Sequence, residues 1–572
     1  MHKDSCQLKS KRIQPVQSAV DMGWRLAHSR WRLRFAGRRT SPLTVALTAA
    51  RAVAPALAVM VAFTLALVLF GGPVPQAGAQ RLYYKNPILP GDYPDPSILK
   101  VGKNYFMTNT CAMMVPGLLI WHSQDLIHWS PVTYALKQYD GYVAAPCLTH
   151  FNGRFYIYYT PGRSTHVIWA KKIGGPWSKP AKLMRDGKPF SAFDPSVIKD
   201  RGGQRYLVGA GNFLVRLAPN GLSVMGKRHF IYKGWPIPKN WIVECGCLES
   251  PKIVRHGRYY YMFSAEGGTS GPPTSHMSVV ARAAHLFGPW KNSPYNPLVH
   301  TYSRHQTWWS TGHGMPIQAP DGKWYIIFHG YRKNYLTLGR PVLMEPIRWT
   351  KDGWVKLRRG SHPAEALPAP GGAVVPGRIH FSDNFSSHQL GLQWRFYNRL
   401  APNRFKLTGH SLILRAVGPT MASSSPMVCI TGDHAYQISV HVTAARGANA
   451  GLTLYYNSHA FISIGIGNGQ IWYGQRGHIA DVGRFAGSHA VLKIVNYYNA
   501  VECYVGPTRG KLKKILPVLY AGGYTHQTFG SYLSLRPGLY CIGKSSAEFE
   551  HFKFEKIPHG TDRYNRRISP RP

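Results

Sequence analysis

The stretch PCLTHFNGRFYIYYT (146–160) decides the fold. A proline opens it, a glycine follows seven residues later, and an aromatic strand-like run comes next. The same order recurs from Asp95-Pro96 to Gly102, Asp194-Pro195 to Gly202, Ser250-Pro251 to Gly257 and Met315-Pro316 to Gly322. The runs after the other glycines read NYFMT, QRYLVGA, RYYYMFS and KWYIIFH. Successive prolines lie 50, 49, 56 and 65 residues apart. Repeats of that length built from short aromatic strands predict a β-propeller, here with five blades. The first strand of each blade lines the central channel, so the residues next to the five prolines converge on one small space.

At three of the five positions an acid stands one or two residues before the proline: Asp95, Asp194 and Glu249. An Asp-Pro pair also serves simply to start a turn. The composition argues for more, because the chain has 24 Asp or Glu against 69 Lys or Arg. With acids this scarce, three at equivalent repeat positions point to chemistry. Hydrolysis of a glycosidic bond needs one carboxylic acid to protonate the leaving oxygen and a second carboxylate to activate water or attack carbon. A third tunes the acid and holds it in place. Spacing alone assigns no roles and does not separate inversion from retention.

The net charge of +45 would favour polyanions. No basic run is interleaved with a nucleic-acid motif, so no nucleic-acid partner is expected. Residues 1–80 read as a basic N-terminal region followed by an export device. Residues 52–70 (AVAPALAVMVAFTLALVLF) are apolar apart from Thr64, and Ala77-Gly78-Ala79 offers a cleavage site. Two outcomes stay open: a cleaved signal peptide, or a transmembrane anchor formed by 52–70. The basic flank places everything after residue 80 outside the cytoplasm in both, periplasmic or extracellular. Eight cysteines are spread along the chain, and Cys245-Gly246-Cys247 matches neither a zinc ribbon nor a redox CxxC. Most read as core residues, with room for one or two disulfides.

The propeller is expected over 82–358 and a Pro- and Gly-rich linker over 359–378. A β-sandwich follows over 379–557, with alternating segments such as YQISVHVTA (436–444) and AFISIGIG (460–467), and then a basic tail over 558–572. The fold class is all-β: a five-bladed β-propeller followed by a concanavalin-like β-sandwich.

NPILPGDYPDPS (86–97), FDPS (193–196) and ESP (249–251) resemble the signature blocks of glycoside hydrolase family 43. HSQDLIHW (122–129), TGHG (311–314), LGRPVLMEPI (338–347) and DGW (352–354) extend the match. FSDNF (381–385), LGLQW (390–394) and AGLTLYY (450–456) resemble the sandwich appended to the family's β-xylosidase-type members. The resemblance implies an inverting glycosidase acting on oligo- or polysaccharides of plant type, with a sandwich that packs on the propeller rim and closes one side of the pocket. Asp95 would then be the general base, Asp194 the pKa modulator and Glu249 the general acid. Arg340 would contact the terminal sugar. His313 would be the channel histidine that binds a water or a calcium ion, with no cofactor otherwise required. Taken without the resemblance, Arg340 reads as an ion-pair partner, for instance of Glu345, and His313 as a structural turn residue. Glu244 competes with Glu249, but it lacks a following proline, lies off the repeat and reads as a loop carboxylate or ion-pair partner.

Two stretches depart from the β-xylosidase-type pattern. Cys111-Ala-Met-Met-Val115 and Val143-Ala-Ala145 stand where the family carries aromatic pocket walls. β-Xylosyl and α-L-arabinofuranosyl substrates both stay open, as does a galactan- or arabinan-directed activity. A non-catalytic carbohydrate-binding propeller is the alternative from another class. A retaining fructan-type propeller would share the blades, but its Asn-Asp-Pro-Asn-Gly block is absent.

Overall fold

Five antiparallel sheets, four of four strands and the fourth of five, are wound in sequence order, each begun by a strand that follows or contains one of the repeated prolines. The computed structural model describes residues 82–358 and 362–558. Expectations for residues 1–80 and for the tail beyond Pro558 lie outside the described residues. Among the described residues no helix is long and apolar enough to cross a membrane.

The inner strands are Ser97–Val101, Cys147–Phe151, Ser196–Lys199, Cys245–His256 and Trp308–Gln318. Each pairs with the aromatic strand predicted from the repeat: Asn104–Thr108, Arg154–Tyr159, Arg205–Gly209, Tyr259–Gly267 and Trp324–Arg332. The repeated glycines make the connecting turns. Gly102, Gly153, Gly257 and Gly322 have φ of +59°, +70°, +56° and +78°, a region that favours a residue without Cβ. In blade three the turn falls on Gly203 instead.

The segment expected as a linker is laid against the propeller. Ala366–Pro368 pairs antiparallel with Tyr83–Lys85, and the Ser130 hydroxyl reaches the carbonyls of Val375, Pro376 and Gly377. The sandwich then forms two large antiparallel sheets around an apolar core that includes Trp394, Ile438, Leu454, Ile464 and Leu539. The alternation of YQISVHVTA places Ile438, Val440 and Val442 inward with polar residues between them. Strands at Gln470–Gln475, His478–Arg484, Ala500–Gly506 and Arg536–Gly543 complete the sheets beyond those anticipated.

One sandwich sheet ends on a strand lent by the propeller. Met114–Val115, from the first blade, pairs with Arg395–Tyr397. A buried ion pair reinforces the junction: Arg536 of the sandwich donates to Asp92 Oδ2 at 2.8 Å, and both side chains are almost fully buried. Removing one partner of such a pair strands a buried charge, which costs about 3–5 kcal/mol. Arg536→Ala is therefore expected to lower stability by about that amount, read as a shift in the denaturant midpoint. A midpoint that stays put would mean the two halves hold together without it.

Candidate active site

The residue before the repeated proline is turned into the channel by an unusual backbone. Asp95, Ala145, Asp194 and Ser250 all adopt left-handed φ, at 55°, 39°, 48° and 52°. Non-glycine residues pay about 1–2 kcal/mol for that conformation, and such strain gathers where side-chain placement matters. In blade four Ser250 holds the strained position and Glu249 precedes it. A register shift in the pairing with the next strand, between Glu249 and Lys252, re-aims that carboxylate.

Asp95 is buried and fully engaged. Its Oδ2 accepts from the Thr110 hydroxyl at 2.5 Å, and its Oδ1 accepts from the Arg340 guanidinium at 3.2 Å. His313 Nδ1 lies 3.5 Å from the same oxygen. His329 Nδ1 is 3.1 Å from both the backbone nitrogen and Oδ1 of Asp95. With the proton on Nδ1 that ring donates to the carboxylate; with it on Nε2 it accepts from the N–H. It anchors Asp95 in both tautomers. Burial pushes the Asp95 carboxyl up, but Arg340, His313 and His329 outweigh it and hold the group well below the usual range. Asp95 is thus a carboxylate kept ionised.

Asp194 and Glu249 behave in the opposite sense. Asp194 is buried and accepts from the Ser250 N–H at 3.1 Å. Burial, then Glu249 and then Asp95 push it well above its ordinary value, against the pull of Lys252 and the Ser250 N–H. Glu249, half-buried, is raised to about 7 by burial and by the Asp95 charge, with Glu244 adding and Arg340 opposing. The pair retains a proton through the range where ordinary carboxyls have lost theirs. Of the two, Asp194 alone has a backbone N–H and a buried ammonium pulling it towards charge, and burial with its two acidic neighbours outweighs them. His276, whose Nε2 is 3.9 Å from Glu249 Oε1, is pushed down to about 3 by burial and stays neutral. It fits there because position 312 is glycine: a Cβ would come within 2.4 Å of the imidazole.

One cavity of about 170 Å³ gathers Asp95, Asp194, Glu249, His313 and Arg340. Every site residue expected from the sequence is therefore in one place. Arg340 pairs with Asp95 rather than with Glu345. Glu244, expected as a loop carboxylate, also lines the cavity, as do Tyr142, Phe193, Cys247 and Tyr532. Of the Cys111–Val115 stretch, Met114 and Val115 pair with the sandwich while Cys111 and Ala112 bond to Val143, and Ala144 and Ala145 form wall. Cys245 and Cys247 are joined in a disulfide, and the other five described cysteines are buried and free. A larger hollow of about 610 Å³ beside the linker has one acid, Asp383, which is bound to Gln393 and Trp394.

Asp95, His313 and His329 also lie close enough to share an ion. Calcium takes six to eight oxygen ligands. This set offers two imidazoles and one carboxylate already held by Thr110 and Arg340. It does not suit calcium.

The sequence does not single out Thr110, His329 or Tyr532 for the site, and it offers Glu244 only as a competitor of Glu249. His329 falls inside KWYIIFH, where apolar packing explains the pattern, and Tyr532 comes from the sandwich, far along the chain. Tyr532 lies beneath the Arg340 guanidinium, 5.3 Å from ring centre to carbon, and its hydroxyl donates to Ser270 Oγ at 3.1 Å.

A propeller whose channel ends in a cavity of four carboxylates, one kept ionised and two pushed towards the protonated form, is built as a glycosidase is built. Residues 84–355 match the model of glycosyl hydrolases family 43, and residues 382–555 match the β-xylosidase C-terminal concanavalin A-like domain. The chain belongs to glycoside hydrolase family 43, a family of glycosidases. It is 27% identical to a xylan 1,3-β-xylosidase of Vibrio sp. over 50% of this chain and 59% of that protein. It is 29% identical to the non-reducing end α-L-arabinofuranosidase BoGH43B of Bacteroides ovatus, over 62% of this chain and 68% of the relative. A xylosidase/arabinosidase 43B of Humicola insolens is 25% identical over 84% of this chain and 99% of its own. The fold matches the crystal structure of the GH43 BlXynB protein from Bacillus licheniformis with a TM-score of 0.75 at 24% identity, covering 83% of this chain and all of that one.

Proposed function

We propose that this protein removes a terminal pentosyl unit, β-xylosyl or α-L-arabinofuranosyl, from plant-type oligo- or polysaccharides by single-displacement inversion. The observation that carries the reading is the split between Asp95 on one side and Asp194 and Glu249 on the other within one cavity. Asp95 is ionised and serves as the base that takes a proton from the attacking water. Glu249 is protonated near neutrality and gives its proton to the leaving oxygen. Asp194, buried beside Glu249 and held by the Ser250 N–H, is the partner that positions and tunes that acid. Pairs of acids pushed apart by their surroundings are how one site holds both an acid and a base. The small cavity closes over buried Asp95 and Arg340, which fits one terminal sugar rather than a chain running through. Arg340 places a guanidinium where it both holds Asp95 and meets sugar hydroxyls. The relatives named for xylosidase and arabinofuranosidase activity support the two pentoses equally. Export belongs to the same reading and rests on the apolar run 52–70.

The test is turnover of 4-nitrophenyl β-D-xyloside, α-L-arabinofuranoside and β-D-galactoside, with the anomer of the first-formed sugar read by proton NMR. One pentoside should be cleaved with inverted configuration. Retained configuration would overturn the single-displacement step, and a folded protein that binds sugars without turnover would favour the carbohydrate-binding alternative.

A further inference from the structure

The fourth carboxylate of the cavity is held too firmly to be surface filler. Glu244 Oε2 accepts from the backbone N–H groups of Ser270 at 2.7 Å and Gly271 at 3.0 Å, and Oε1 accepts from the Ser270 hydroxyl. Its own N–H donates to Gly267 O at 3.0 Å, and lies 2.8 Å from Ser275 Oγ. The Cys245–Cys247 disulfide closes the turn directly after it. Gly268 makes room: a Cβ there would come within 2.4 Å of Glu244 Oε2 and 3.0 Å of Cys245 Sγ. The Ser270 hydroxyl that donates to Glu244 also receives the Tyr532 hydroxyl of the sandwich. Both halves of the molecule therefore fix this one side chain.

Depth orders the acids. Asp95 is buried, the Glu249 side chain is 27% exposed, and Glu244 is exposed while still lining the cavity. A terminal sugar over Asp95 puts its glycosidic oxygen at Glu249, where the proton is delivered. The group beyond that oxygen then lies at the level of Glu244. Oε1 has one hydrogen bond and retains acceptor capacity, since a carboxylate oxygen takes about two. A carboxylate locked by three donors and open to the mouth is an acceptor for a hydroxyl of the departing sugar.

On the reading given under Proposed function, we infer that Glu244 recognises the leaving-group sugar, accepting a hydrogen bond from one of its hydroxyls and so favouring saccharide over hydroxyl-free leaving groups. Phe193 and Cys247 form apolar wall in the same cavity.

The experiment compares xylobiose with 4-nitrophenyl β-D-xyloside, and α-1,5-arabinobiose with 4-nitrophenyl α-L-arabinofuranoside, in the full chain and in Glu244→Gln. A hydrogen bond to a charged group contributes roughly tenfold or more in equilibrium terms. The ratio of disaccharide to aryl-glycoside kcat/KM should fall about tenfold in the variant, mainly through KM. A merely structural role would depress both substrates equally and lower the melting temperature, leaving the ratio unchanged; that result overturns the inference. Glu244→Asp keeps the charge but withdraws it from the mouth, and gives the same comparison if Glu244→Gln fails to fold. Wild-type protein that cleaves neither member of either pair would instead overturn the glycosidase reading, and this inference with it. Wild-type cleavage with an unmoved ratio in both variants defeats this inference alone.

Discussion

Asp95→Asn is expected to reduce kcat by about 10²–10⁴-fold, the range that general base catalysis supplies. The loss should be the same for aryl glycosides and for disaccharides, because the base acts on water and not on the leaving group. Asparagine keeps the shape and can still accept from Thr110, so the channel geometry has no steric reason to change. What disappears is the charge. Three groups hold Asp95 ionised: Arg340 at 3.2 Å, His313 at 3.5 Å and His329 at 3.1 Å. With a neutral amide there, Arg340 is left in a buried site without its counter-charge. A drop in melting temperature should therefore accompany the loss of activity, and circular dichroism must show that the variant is folded at the assay temperature. A folded Asp95→Asn protein with near-normal kcat would remove Asp95 from the role of base. It would also remove the main physical argument for the site, since Asp194 and Glu249 are both shifted the other way.

The propeller was legible because its signal is local and repeated. A turn glycine and the aromatic strand behind it recur five times, and each predicted strand is present. The three acids were legible because the same register that makes the strands brings their starts to the channel. What was hidden depends on distance in the chain. Tyr532 reaches the cavity from a sandwich loop, and Asp92 meets Arg536 across 444 residues. His329 sits in a run whose apolar neighbours account for its strand, so nothing local marked it. Glu244 lay off the repeat, and its place follows from a tight turn closed by a disulfide that spacing alone did not announce. The stretch Cys111–Val115 shows the reverse. Its departure from the aromatic pattern was visible, but its use as an edge strand for the sandwich was not. Edge pairing of two residues leaves no periodicity to read.

Glu249→Gln is expected to separate substrates by their leaving groups. A 4-nitrophenolate departs with little help from a proton, whereas a sugar alkoxide needs one, so disaccharide hydrolysis should fall by about 10²–10⁴-fold and aryl-glycoside hydrolysis by much less. The pH profile gives an independent reading. The acid works only when protonated, and the Glu249 carboxyl is raised to about 7, first by burial and then by the Asp95 charge. Wild-type kcat/KM should therefore fall as pH rises through about 7. The base works only when ionised, and Asp95 is held well below the ordinary carboxylate range. The acidic limb should consequently lie at low pH, giving a plateau that extends from below that range to near neutrality. In Glu249→Gln the basic limb should vanish, since glutamine has no proton to lose, while the acidic limb of Asp95 remains. A basic limb that persists unchanged in Glu249→Gln would assign the titration to another group and dismiss Glu249 as the acid. The arrangement then has to be read as one buried base and one proton donor, each defined by what surrounds it: a guanidinium and two imidazoles around Asp95, burial and the Asp95 charge around Glu249.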